Sequence, residues 1–202
     1  MFGRNVTTAE PVAPSERIIN GDTSNASCPP FKLLRTGGSF LTLARVGDLI
    51  VKTSGTGAPM SAYVVQVVSD TELILDEDLG FNSNTYNLLR PGILPLRCPE
   101  GLEWILRAVR ANKGDDVYRV AIWVSDGTRQ ALLTDTKRLY DRKGAVTSTG
   151  TPRNDFSRKG FYYEDQNLLI SYDRIVEIRN YLEESLDVAV DGVNKTVDVP
   201  QG

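Results

Sequence analysis

The side chains that could do chemistry in this chain are mainly carboxylates. Asp76-Glu77-Asp78 is followed by Asn82, Ser83 and Asn84, an oxygen-rich run of the kind that could hold calcium. The spacing does not fit an EF-hand loop, which needs a late bidentate Glu, so an ordinary solvated turn is expected. Glu183 and Glu184 form a second carboxylate pair. Two carboxylates divide acid and base roles only where their surroundings push their pKa values apart, and both pairs fall in polar stretches. Histidine is absent from the sequence. That removes the commonest general base and the commonest neutral metal ligand, and with them any Ser-His-Asp or Cys-His device within the chain. Cys28 and Cys98 are too few for a Cys-only zinc site, and neither lies in a CxxC motif. Both are expected as free thiols, with a pairing between them left open. The sequence contains no phosphate-cradling glycine loop and no nucleophile elbow. The expectation is no catalytic residue, no cofactor and no metal. The alternative is a metal-dependent hydrolase working through Asp and Glu, since such a site needs no histidine.

Charge patterning points to protein contacts. The 202-residue chain has a net charge of −3, so nucleic-acid binding by charge alone is not expected. Against that acidic background Lys137, Arg138, Arg142, Lys143, Arg153, Arg158 and Lys159 form a basic island broken only by Asp141 and Asp155. Glu183, Glu184, Asp187 and Asp191 form an acidic patch. Opposite-sign patches on one molecule suit a heterologous contact between copies or neighbours. Lys137, Arg138, Arg142, Arg153, Arg158, Lys159, Glu183, Glu184 and Asp187 are therefore the candidate interaction residues.

The elements that must position these residues can be read in order. Residues 1–30 carry Pro11, Pro14, Pro29 and Pro30 and are expected as an extended N-terminal arm. Residues 31–97 read as a small antiparallel β-barrel-like module with its linker. Phe40 and Leu41 open its core, β-prone runs lie at 46–51, 62–68, 73–75 and 85–89, and Ser69-Asp70-Thr71 forms a tight turn. Pro91 and Pro95 mark the linker. Residues 98–202 read as an α+β domain, a mixed sheet with two helices. Leu102, Ile105, Leu106 and Val109 have helical spacing, with Glu100 and Glu103 early and Arg107, Arg110 and Lys113 late. A strand over 116–124 should turn at Asp126-Gly127 into a partner at 130–134. Two short strands are expected at 161–163 and 168–170. A second helix is expected from Tyr172, with Ile175, Val176, Ile178, Leu182 and Leu186 as its stripe, and then a hairpin at Asp191-Gly192. The fold class is thus α+β and β-rich.

One stretch carries a resemblance. Val46-Gly47-Asp48-Leu49-Ile50-Val51, then Tyr63 to Val68, then Ser69-Asp70-Thr71-Glu72-Leu73-Ile74-Leu75, with Phe40, Phe81 and Tyr86 around them, is similar to the short β-modules of tailed-bacteriophage virion proteins. The resemblance covers roughly a quarter of the chain and rests largely on turn residues. It implies a structural component of a virion that self-associates or bridges neighbouring subunits, as a head–tail connector, a capsid decoration or a tail or baseplate protein. It also implies other virion proteins as partners, a homo-oligomer in the assembled particle, and assembly in the host cytoplasm. A cellular SH3-like binding module is a further alternative. The first residues lack the apolar core of a secretory signal, and no apolar run is long enough to span a membrane, so no membrane partner is expected.

Overall fold

The computed structural model describes residues 5–100, 102–111, 114, 116–126, 128–137, 161–171 and 173–196. The chain is β-rich and its sheets are antiparallel. It forms two compact units, one of residues 15–91 with 116–118, the other of residues 1–14, 92–115 and 119–202.

The first unit is built from β2 (Glu16–Thr23), β3 (Lys32–Leu34), the one-turn α1 (Phe40–Leu43), β4 (Leu49–Lys52), β5 (Met60–Ser69), β6 (Glu72–Leu75) and β7 (Thr85–Arg90). They form one sheet in the order β2-β7-β4-β5-β6-β3. The four expected strand runs of the module are present as β4, β5, β6 and β7, and Asp70-Thr71 makes the turn between β5 and β6. Leu33, Phe40, Ile50, Val64, Leu73 and Leu88 lie in its core, each with essentially no exposed surface. Each such side chain contributes about 1.5–3 kcal/mol by leaving water. The expected barrel is not closed: β2 and β3 are the outer strands of an open sheet. Leu41, expected in the core beside Phe40, is instead exposed. A single helical turn cannot bury two consecutive side chains on one side.

The second unit holds β1 (Asn5–Val12), β8 (Gly92–Leu96), β9 (Leu102–Ala111), β10 (Val120–Ser125), β11 (Gln130–Asp135), β12 (Phe161–Ile170), β13 (Ile175–Asn180) and β14 (Leu186–Thr196). Its sheets run β1-β14-β9-β12 and β11-β10-β13-β8. Leu106, Val109, Leu186 and Val188 from the first sheet share one core with Val120, Ile122, Val176 and Ile178 from the second, so the two sheets bury their inner faces against each other. The β10–β11 hairpin forms where Asp126-Gly127 predicts it, and the Asp126 carboxylate accepts the backbone N–H groups of Thr128 and Arg129.

Neither expected helix exists. Leu102 to Ala111 is β9, paired on both sides, with β14 and with β12. Its helical spacing has a strand explanation. The register steps from Ala108 to Leu106 past Arg107, a bulge that shifts the side-chain phase by one residue. Leu106 and Val109 therefore both reach the core, and Leu102 and Trp104 pack against it. The second predicted helix is β13, a turn at 182–184, and the start of β14. Ile175, Val176 and Ile178 are β-branched and favour the pleated surface. Residues 161–170, expected as two strands, form one, and Asp191-Gly192 is a register shift inside β14, not a hairpin turn.

The first thirty residues, expected as an arm, supply β1 on β14 and β2 on β7. The module is thereby inserted between β1 and β8 of the second unit. A side chain at Gly92 would meet the Ala13 carbonyl oxygen and carbon, the nearer at 1.9 Å. The Asn180 amide, fully buried, donates to Ala13 O at 3.0 Å and to Glu184 O at 2.8 Å. Among the described residues no helix is long and apolar enough to cross a membrane.

Candidate functional site

Gly47-Asp48 and Ser69-Asp70-Thr71, the turn residues on which the resemblance largely rests, hold the two ends of segment 40–47 against β5. Gly47 has φ +87°, a conformation side-chain-bearing residues rarely adopt. Its N–H donates to Val64 O at 2.8 Å, and the Val64 N–H donates back to Asp48 O at 2.8 Å. The Asp48 carboxylate is buried, accepts the Arg45 N–H at 2.9 Å and pairs with Arg90 Nη2 at 3.1 Å. Arg90 Nη2 also donates to Leu43 O at 2.6 Å. Burial pushes the Asp48 carboxyl above its ordinary value, against the pull of Arg90 and Arg45. At the Ser69-Asp70-Thr71 turn, Ser69 Oγ accepts the Thr71 N–H at 3.2 Å. Asp70 Oδ1 accepts the Leu41 N–H and Asp70 O accepts the Phe40 N–H, both at 3.1 Å, so this turn caps the first amides of α1.

What these bonds hold up is apolar and open to solvent. Leu41 is 60% exposed, and Leu43, Val46, Val65 and Val68 are also exposed. Residues 40–47 run antiparallel to β5, tied at one end by Phe40 N–H to Asp70 O and at the other by Gly47 N–H to Val64 O. Leu41 and Leu43 on α1, Val46 just after it, and Val65 and Val68 on β5 thus lie along two adjacent segments and make a stripe of apolar exposure. Sequence reading singled out the motifs but not this stripe. Its signal was present: Val65 and Val68 interrupt the alternation of β5, and Leu41 and Leu43 leave only Phe40 for the core.

The charge-selected residues do not assemble into a described site. Glu183 and Glu184 are exposed in the turn between β13 and β14, and Asp187 is exposed on β14 opposite Pro11. Lys137 is half-buried just after β11. Arg138, Arg142, Arg153, Arg158 and Lys159 lie outside the described residues. Asp76 Oδ1 accepts the Tyr63 N–H of β5 at 2.7 Å and Asp78 Oδ1 accepts the Gly80 N–H at 2.9 Å, so one carboxylate ties the end of β6 to β5 and the other serves its own turn. Among the described residues no group of three or more potential ligands is placed to hold a metal.

Several buried charges were not foreseen. Lys52 is 2% exposed, and its ammonium donates to Leu79 O at 2.8 Å, Thr56 O at 3.1 Å and Gly80 O at 3.3 Å. Three donors meet three carbonyls, which clamps two loops together. Arg119 and Asp135 pair at 3.1 Å, both buried. Arg179 lies 4.4 Å from the Trp123 ring centroid and bonds Glu177 at 2.6 Å and Gln130 at 2.7 Å. Each of these is an internal polar contact of its unit with no cleft chemistry attached. Cys28 and Cys98 are free thiols. Burial, with the Glu103 carboxylate adding to it, pushes the Cys98 thiol up and away from the reactive thiolate form. No protein-family model matches the chain, and no curated protein matches it.

Proposed function

We propose that this chain is a structural component of a tailed-phage particle and acts through protein surfaces. The observation that carries this reading is the use made of the motif residues. Gly47, Asp48 and Asp70, which underlie the resemblance to virion β-modules, spend their hydrogen bonds on holding α1 against β5. The result is a hydrogen-bonded base under an exposed apolar stripe. An exposed apolar patch on a well-ordered support is what a contact surface needs, because little is lost in ordering it on binding. The partners in this reading are other virion proteins and further copies of the chain, assembled in the host cytoplasm.

The test is the composition of the particle. Mass spectrometry of particles purified from the chain's source should find it at a fixed copy number. Particles that are complete and infectious without it would overturn the reading.

A further inference from the structure

We propose that two copies of this chain pair across the α1–β5 stripe about a two-fold axis, with Arg45 of each copy set against Asp70 of the other. The inference rests on the assembly reading above and names the surface and the partner. Five of the seven large apolar side chains exposed among the described residues lie in this stripe. Together they offer on the order of 400 Å² of apolar surface, about half of the ~800 Å² that each partner of a standard interface buries. With a polar rim added, the stripe has the size and make-up of one interface, an apolar centre inside a hydrophilic border.

The charges at its ends select a second copy. Asp70 sits at the Leu41 and Val68 end, where it holds the Phe40 and Leu41 amides. Arg45 sits at the other end, beside Val46, where Gly47 is bonded to Val64. Both residues are exposed; among the described residues neither side chain is in a salt bridge, the Arg45 charge acting on Asp48 only at longer range. A surface with a cation at one end and an anion at the other is self-complementary under a two-fold rotation, because the rotation exchanges the ends. A parallel, head-to-head arrangement would place like charges together and is disfavoured. The same rotation lays the Leu41–Leu43–Val46 row of one copy along that of the other.

Charge exchange tests this on the full-length chain. Sedimentation velocity over a concentration series should show a monomer–dimer equilibrium for the unaltered protein. Arg45→Asp and Asp70→Arg should each weaken it by about tenfold or more, since each homodimer then sets like charges face to face. Mixing the two variants should restore dimerisation as a heterodimer, because both contacts are then of opposite sign. Asp70→Arg removes a cap from α1. Val65→Lys, which leaves every motif bond in place, is therefore the second variant and should abolish the dimer with an unchanged melting transition. A chain that stays monomeric at all concentrations overturns the proposal. So does a dimer indifferent to Val65→Lys, or a mixture of folded charge variants that does not pair. Self-association through another surface would sink this dimer and leave the particle reading standing; absence from the particle would sink that reading whatever the dimer does.

Discussion

At the scale of single residues, the polar side chains buried in the module are devices of folding. Asp48 and Asp22 show it through opposite responses to pH. Burial raises the Asp48 pKa in the folded state, so its contribution to stability is full in acid and is lost as pH rises through the raised value. For Asp22, partial burial acts upward, but hydrogen bonds from the Thr23 N–H, Arg35 and the Tyr86 hydroxyl outweigh it and lower the pKa. Its contribution is present at neutral pH and is lost as pH falls through the lowered value. Asp48→Asn should therefore be more damaging at about pH 3 than at about pH 7, and Asp22→Asn the reverse, in urea unfolding at both. Equal pH dependence for the two would contradict this. Lys52→Met is expected to cost roughly 1–3 kcal/mol, because it leaves the buried Leu79 carbonyl without its donor, while the Thr56 and Gly80 carbonyls lie on exposed residues and can turn to water. A change below about 1 kcal/mol would mean that the Leu79 carbonyl finds another partner.

At the scale of elements, the strands of 46–90 and the β10–β11 hairpin were legible, whereas β1, β2 and the expected helices were not, for one physical reason. In residues 46–75 the turn residues and the β-prone runs agree, so local preference and final pairing coincide. In residues 102–111 the apolar spacing suits either a helix or a bulged strand, and pairing with β14 and β12 decides it. Arg107, where the bulge falls, carries no sequence mark of it. Residues 16–23 give no clean alternation, because Ile18 and Ile19 are adjacent, and in β2 both are only half-buried. Charge composition, which picks out residues such as Glu183, Glu184 and Asp187, marks surface but not contact. The stripe that the structure exposes lay within the best-read segment. The pairing of β2 with β7 has its own consequence. A fragment of residues 15–91 should melt cooperatively, whereas residues 31–90, which lack the Asp22–Arg35 and Tyr86–Asp22 bonds, should melt lower or without cooperativity. Equal melting of the two by circular dichroism would show β2 to be dispensable.

At the scale of the whole molecule, the chain is an insertion of one β-unit into another. The second unit begins with β1, yields to the module at Pro14, and resumes at Gly92. Asn180 and the close approach of Gly92 to Ala13 fix the place where the chain leaves and returns. Such an arrangement puts the exposed stripe on one unit and leaves the other as a separate folded body. In the proposed function the α1–β5 stripe is the working surface. The most direct measurement supplies a Leu41→Lys, Val65→Lys chain as the sole copy during particle assembly and counts infectious particles. The expected result is an unchanged melting transition of the purified variant with a loss of infectious yield of roughly tenfold or more, as for truncating the anchors of an interface. A normal yield from the folded variant would contradict the claim.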